Sequence, residues 1–131
     1  MQDYLADSGF CGDRSITNSG DGYSTTVTTQ YGAFSRLTSS IKSPVLTCPD
    51  KEHDLYTVDS SKGNGALTNP IGLMTADEAA MAGMVNGYLN TLSYVYTGTW
   101  YWTMSPCNFS PSNSSSYVWY VSGTGFFSYR W

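Results

Sequence analysis

Apolar and polar positions alternate most clearly in the last third of the chain. Tyr94 to Thr97, Trp100 to Met104, Tyr117 to Ser122 and Phe126 to Trp131 read as strands. Gly98 separates the first two. A long Ser105-to-Ser116 loop separates the next two, and Gly123-Thr124-Gly125 gives a glycine-containing hairpin turn. The pattern predicts an antiparallel meander. Alternation buries one face, which assigns Trp100, Trp102, Val118, Tyr120 and Phe126 to the core. Tyr101, Phe109, Tyr117, Trp119 and Tyr129 then fall on the other face or in the loop.

Upstream, the pattern is weaker. Thr75-Ala76-Asp77-Glu78 is a capping box: the Thr75 hydroxyl accepts the N–H three residues on, and Glu78 reaches back. Asp77 and Glu78 also suit the positive end of the helix dipole. Ala79 to Ala82 continue this short helix and Gly83 ends it. Leu55 to Val58 alternates as a short strand. Ser24 to Gln30 has high β propensity but little apolar content, so it reads as an edge strand or extended loop, with Tyr31, Ala33 and Phe34 as anchors. The remainder of the first half is loop-rich.

Composition narrows the function. The chain has 131 residues, enough for one domain with one core. Only 12% are charged, about half the usual share of roughly 25%. With 19 Ser and 15 Thr, solubility rests on neutral hydroxyls. Thirteen of the 20 aromatics lie in the last 38 residues, beside one charged side chain, Arg130. That density excludes disorder. A net charge of −4 with six scattered Lys and Arg argues against nucleic acid. No apolar run is long enough to span a bilayer. A single histidine, His53, argues against a metallo-enzyme or a His-based hydrolase.

Candidate chemistry is sparse. Asp77 and Glu78 are adjacent, so they diverge around the helix and have a structural task at its start. Asp50, Glu52, His53 and Asp54 lack the ordered spacing of a calcium loop and read as a solvated loop. No serine sits in a nucleophile elbow, and Cys107 has no base near it in sequence. Neither a catalytic residue nor a cofactor or metal is expected. Exposed Tyr and Trp among Ser and Asn is instead how recognition surfaces are built. The expected contacts are Phe109, Asn113, Tyr117, Trp119 and Tyr129. The competing reading is a sheet whose second face is covered by the N-terminal loops.

Three cysteines make an odd count. One disulfide and one leftover thiol is the simplest secreted reading, with three reduced cysteines as the alternative. Cys11 and Cys48 each sit beside a turn signal and are the expected pair. Closing that loop contributes on the order of 3–4 kcal/mol in the chain-entropy model.

Several strings look like a known pattern. Asn69-Pro70-Ile71-Gly72-Leu73-Met74-Thr75-Ala76-Asp77-Glu78, then Tyr101-Trp102-Thr103-Met104-Ser105-Pro106 and Val118-Trp119-Tyr120-Val121, resemble an uncharacterised domain of surface or secreted proteins from gut Firmicutes and related metagenomic bacteria. Phe10-Cys11-Gly12-Asp13 and Pro44-Val45-Leu46-Thr47-Cys48 also resemble it and support the Cys11–Cys48 pairing. Its C-terminal layout is similar to the C-type lectin-like fold and to variable proteins diversified by retroelements. No Glu-Pro-Asn type calcium and sugar tripeptide occurs here. Family members usually continue past the last hairpin and often start earlier, so this chain is expected to be incomplete at both ends.

The expectation is a single α+β domain over 1–131, dominated by an antiparallel sheet in a C-type lectin-like arrangement. It divides into a disulfide-closed part (1–68), a helix and connection (69–93) and an aromatic meander (94–131). The expected function is non-enzymatic binding of a protein or glycan at a bacterial or phage surface, without nucleic acid and without membrane insertion. The alternative is a structural subunit of an extracellular fibre that self-associates through its C-terminal strand.

Overall fold

The computed structural model describes residues 10–20, 26–50, 52, 54–56, 68, 72–112 and 114–130. Strands and helices follow the order β1 (Phe10–Cys11), β2 (Thr29–Gln30), α1 (Gly32–Arg36), β3 (Leu55–Tyr56), α2 (Ala76–Met81), β4 (Tyr101–Ser110), β5 (Ser115–Val121) and β6 (Phe127–Arg130). The class is α+β. The main sheet is antiparallel with order β2-β4-β5-β6, and β1 pairs with β3 in a separate ribbon.

The meander forms where alternation predicts it, with two corrections. Tyr94 to Thr97 is a series of turns and not a strand. The expected Ser105-to-Ser116 loop is mostly strand, because β4 runs on to Ser110 and β5 starts at Ser115. Pro106 explains the misreading. A proline normally interrupts a sheet, but it is tolerated at bulges. The β4–β5 register shifts on both sides of the Pro106–Val118 pair, so β4 absorbs the proline by bulging.

Helix α2 has the predicted cap. Thr75 Oγ1 accepts from Glu78 N at 3.0 Å, and Glu78 Oε2 accepts from Thr75 N at 2.8 Å. Its other end is a Schellman turn. Gly83 N donates to Ala80 O and Met84 N to Ala79 O, each at 3.0 Å, with Gly83 at φ 93°. Such a φ suits glycine, and the turn throws Met84 back into the core. Helix α1 was not expected from the sequence. It carries Ala33 inward, with Leu37 following.

Both helices pack on one face of the sheet. Ala33, Leu37, Ala76, Ala79, Met84 and Val95 meet Cys107, Trp119, Val121 and Phe127 there. The sheet's edges are occupied where the chain folds back on them. Thr17 N donates to Gln30 O at 2.9 Å beside β2, and Gly87 N donates to Phe127 O at 2.9 Å beside β6.

The N-terminal part is held by pins. Cys11 and Cys48 form a disulfide with Cα atoms 5.4 Å apart, and Cys107 is free and buried. Arg36 lies between two buried carboxylates, donating through Nη2 to Asp13 and to Asp77 Oδ2 at 2.7 Å, and through Nε to Asp77 Oδ1 at 2.9 Å. Burial pushes the Arg36 pKa down, Asp77 and Asp13 push it up, and the net direction is up.

Candidate recognition face

Alternation separates Trp119, Tyr117 and Tyr129 from Trp100, Trp102 and Tyr120 correctly, but the helices cover the Trp119 side, so Trp100 and Trp102 are the exposed rings while Tyr120 is buried as expected. Trp119 has no exposed surface. It stacks on Phe127 at 4.9 Å and meets the edge of Tyr129 at 5.4 Å. Tyr117 and Tyr129 are half-buried and pack against the core, with Tyr129 also edge-on to Phe34. Trp119 is therefore corrected from a surface contact to an interior side chain, and Tyr117 and Tyr129 flank it half-buried on the side the helices cover. Phe109 sits opposite Ser116, on the same side as Val118 and Tyr120, and is half-buried. Asn113 lies outside the described residues. The reason is general. Alternation says which residues share a face but not which face the helices will cover. Here the small Ala faces of both helices, read only for α2, chose the Trp119 side.

The face left open carries the residues expected in the core. Trp100 is 51% exposed and Trp102 is 44% exposed. Tyr120 lies between them and is only 8% exposed, because they cover it. Trp100 stacks parallel on Tyr120 with ring centroids 4.4 Å apart and planes 8° apart. Trp102, the cross-strand partner of Tyr120, meets it edge-on at 5.8 Å and 73°. Both are favoured aromatic geometries. The guanidinium carbon of Arg130 lies 5.9 Å from the centre of the Trp100 ring, within cation–π reach.

The turns at one end of the sheet place Trp100. Gly98 has φ 75°, and a Cβ at Gly123 would come within 2.9 Å of Gly98 O. Tyr96 donates its hydroxyl to Gly123 O at 3.1 Å. The Thr97-to-Thr99 turn is thereby pressed on the last hairpin, and Trp100 emerges over Tyr120. Tyr101 donates to Val95 O at 2.6 Å from the opposite side, and burial raises its pKa. Hydroxyls of Thr97, Thr99, Ser122 and Thr124 surround this end of the platform.

The charged clusters elsewhere are structural. Asp77 accepts from Arg36 and from Val45 N at 2.9 Å, and Glu78 caps α2. Asp13 accepts from Arg36 and from the Ser15 hydroxyl. The hollow beside them is about 20 Å³, room for one water. Asp54 departs from the solvated loop expected of its cluster. It is buried and accepts from Arg14 N and Arg14 Nε. His53 lies outside the described residues. Burial pushes the Cys107 thiol far up, more than the Asn108 amide lowers it. That shift makes it a poor nucleophile. Among the described residues, no three His, Cys, Asp or Glu side chains are grouped to hold a metal ion, and no helix is long and apolar enough to cross a membrane.

No protein-family model, curated protein or solved structure matches the chain.

Proposed function

We propose that this domain is a non-enzymatic recognition module of an extracellular bacterial or phage protein. It takes a protein or glycan ligand on the outer face of its sheet, in a C-type lectin-like arrangement. The observation that carries the reading is the trio of Trp100, Trp102 and Tyr120. Two large rings stand half in water while locked against a third. Exposed tryptophans usually lose side-chain entropy on binding. Here the rotamers are already fixed by stacking, so ordering costs less at the moment of contact. Trp, Tyr and Arg are also the residue types enriched at binding hot spots, and Arg130 completes the set. The Cys11–Cys48 disulfide fits an oxidising compartment.

The test is a screen of the labelled domain against immobilised glycans and displayed extracellular proteins. It is repeated with a Trp100→Ala/Trp102→Ala double variant whose fold is checked by near-UV circular dichroism. A ligand held by the parent and lost at least tenfold by the folded variant supports the assignment. Ligands held equally by both, or a variant that unfolds, refute it.

A further inference from the structure

The Schellman turn that ends α2 sends residues 83–90 along the outside of the helix. The loop after α1 folds back to face them, with Lys42 N donating to Thr38 O at 3.2 Å and Ser43 N to Arg36 O at 3.0 Å. Two hollows lie between these segments. One, of about 240 Å³, is bounded by Lys42, Val85, Tyr88 and Leu89. The other, of about 120 Å³, lies against Leu37, Pro44 and Met84. They share Lys42 and Val85 as a common wall.

We propose that these paired hollows bind a medium-length acyl carboxylate, with the chain along Val85 and Leu89 and the headgroup on Lys42. Three features of the site converge on that chemistry. The walls are mostly apolar, and Leu89 is 65% exposed at the mouth, so an apolar occupant removes this surface from water. Asn90 turns both its side-chain nitrogen and its oxygen to the backbone, the nitrogen donating to Gly83 O at 2.9 Å and the oxygen accepting from Leu92 N at 3.1 Å, and Asn86 borders the second hollow.

The third feature is charge. Among the described residues, Lys42 is the only charged one bounding either hollow. The ion pairs among the described residues belong to Arg14 and Arg36, and none includes Lys42. Its backbone is held at φ 49°, a conformation uncommon outside glycine, which fixes the direction in which the side chain leaves the loop. An apolar hollow with one ammonium at its wall is complementary to an apolar tail with one negative end. The volumes sit near the small end of ligand pockets, which suits a chain on the order of ten carbons. The whole chain carries a net charge of −4, so at long range it favours cationic amphiphiles. A preference for the anion therefore has to come from the local site.

The experiment is a titration of the full chain with decanoate, below its micelle concentration, followed by amide chemical shifts. Decanol and decyltrimethylammonium serve as controls. The expected result is saturable decanoate binding with the largest shifts at Lys42, Val85 and Leu89. Lys42→Met should weaken it about tenfold, the size of one exposed charge-assisted contact, and Lys42→Arg should retain it. Val85→Phe, which fills the shared wall, should weaken decanoate and decanol alike. The proposal is overturned if decanoate does not saturate, if decyltrimethylammonium binds as tightly, if the shifts map to the Trp100 face, or if an apolar peptide with a free C-terminus displaces decanoate at lower concentration.

Discussion

Truncating Trp119 separates an interior assignment from a surface one by a wide margin. A large aromatic cut to alanine in a sealed core costs about 3–5 kcal/mol. Trp119 is fully buried, stacked on Phe127 and edge-on to Tyr129, so the full range applies. One term works the other way. Its indole Nε1 is buried and has no hydrogen-bond partner among the described residues. Keeping such a group dry costs about 1–3 kcal/mol, which the truncation recovers. The net loss for Trp119→Ala is therefore expected to be about 2 kcal/mol. Trp119→Phe removes the same N–H but keeps a ring against Phe127, so we expect it within about 1 kcal/mol of the parent. Urea unfolding followed by far-UV circular dichroism reads both. With a slope of about 1–3 kcal/mol per molar urea, the alanine midpoint should fall by roughly 0.7–2 M. An alanine variant with an unchanged midpoint would refute the buried assignment. A phenylalanine variant as damaged as the alanine one would show that the N–H costs nothing where it lies.

Arg36→Ala leaves Asp13 and Asp77 buried without their cation, and we expect a loss of about 3–5 kcal/mol in the same assay; a loss below 1 kcal/mol would mean that other groups neutralise the pair. Thr75→Ala removes one side of the capping box and should cost about 1 kcal/mol, with Thr75→Ser close to neutral. Cys107 should react with a thiol reagent only as fast as the domain opens; a fast reaction in native buffer would contradict its burial. Its pKa is raised above the usual 9.0, so the folded state holds this proton longer than the unfolded chain. Stability is thus full below about pH 9 and falls as pH rises beyond it. Cys107→Ala should flatten that alkaline decline, although the raised Tyr101 and Tyr129 pKa values leave part of it in place.

Much of this fold is legible in the sequence because local rules decide it. The Thr75–Glu78 box announces α2, the Gly123–Gly125 turn announces the last hairpin, and the turn-flanked cysteines announce the Cys11–Cys48 bond. Where distant segments decide, the reading fails. Alternation places Trp119 opposite Trp102 but cannot say which side Ala33, Ala76 and Ala79 will cover. Pro106 reads as a breaker because the bulges that accommodate it depend on Val118, across the sheet. Asp54 looks solvated until Arg14, forty positions away, closes on it. The open aromatic face follows from the same reversal. Trp100, Trp102 and Tyr120 are legible in the sequence as one aromatic set, but one that alternation assigns to the core.

The register of β4 also bears on how the chain reaches this state. On one side β4 pairs with β5, the very next strand, across the 111–114 turn. On the other side it pairs with β2, matching Thr29 to Phe109. The first contact closes a short loop and the second closes most of the molecule. Closing a long loop must be paid in entropy before any contact rewards it, so non-local pairings form late. The β4–β5–β6 meander should therefore appear first on refolding, and β2 with α1 should dock onto it in a slower step. The disulfide ties the segment before β2 to the one after α1, so β2 and α1 arrive at the meander as one closed loop with fewer conformations to lose. A refolding experiment with the cysteines reduced should slow the docking phase and leave the meander phase unchanged.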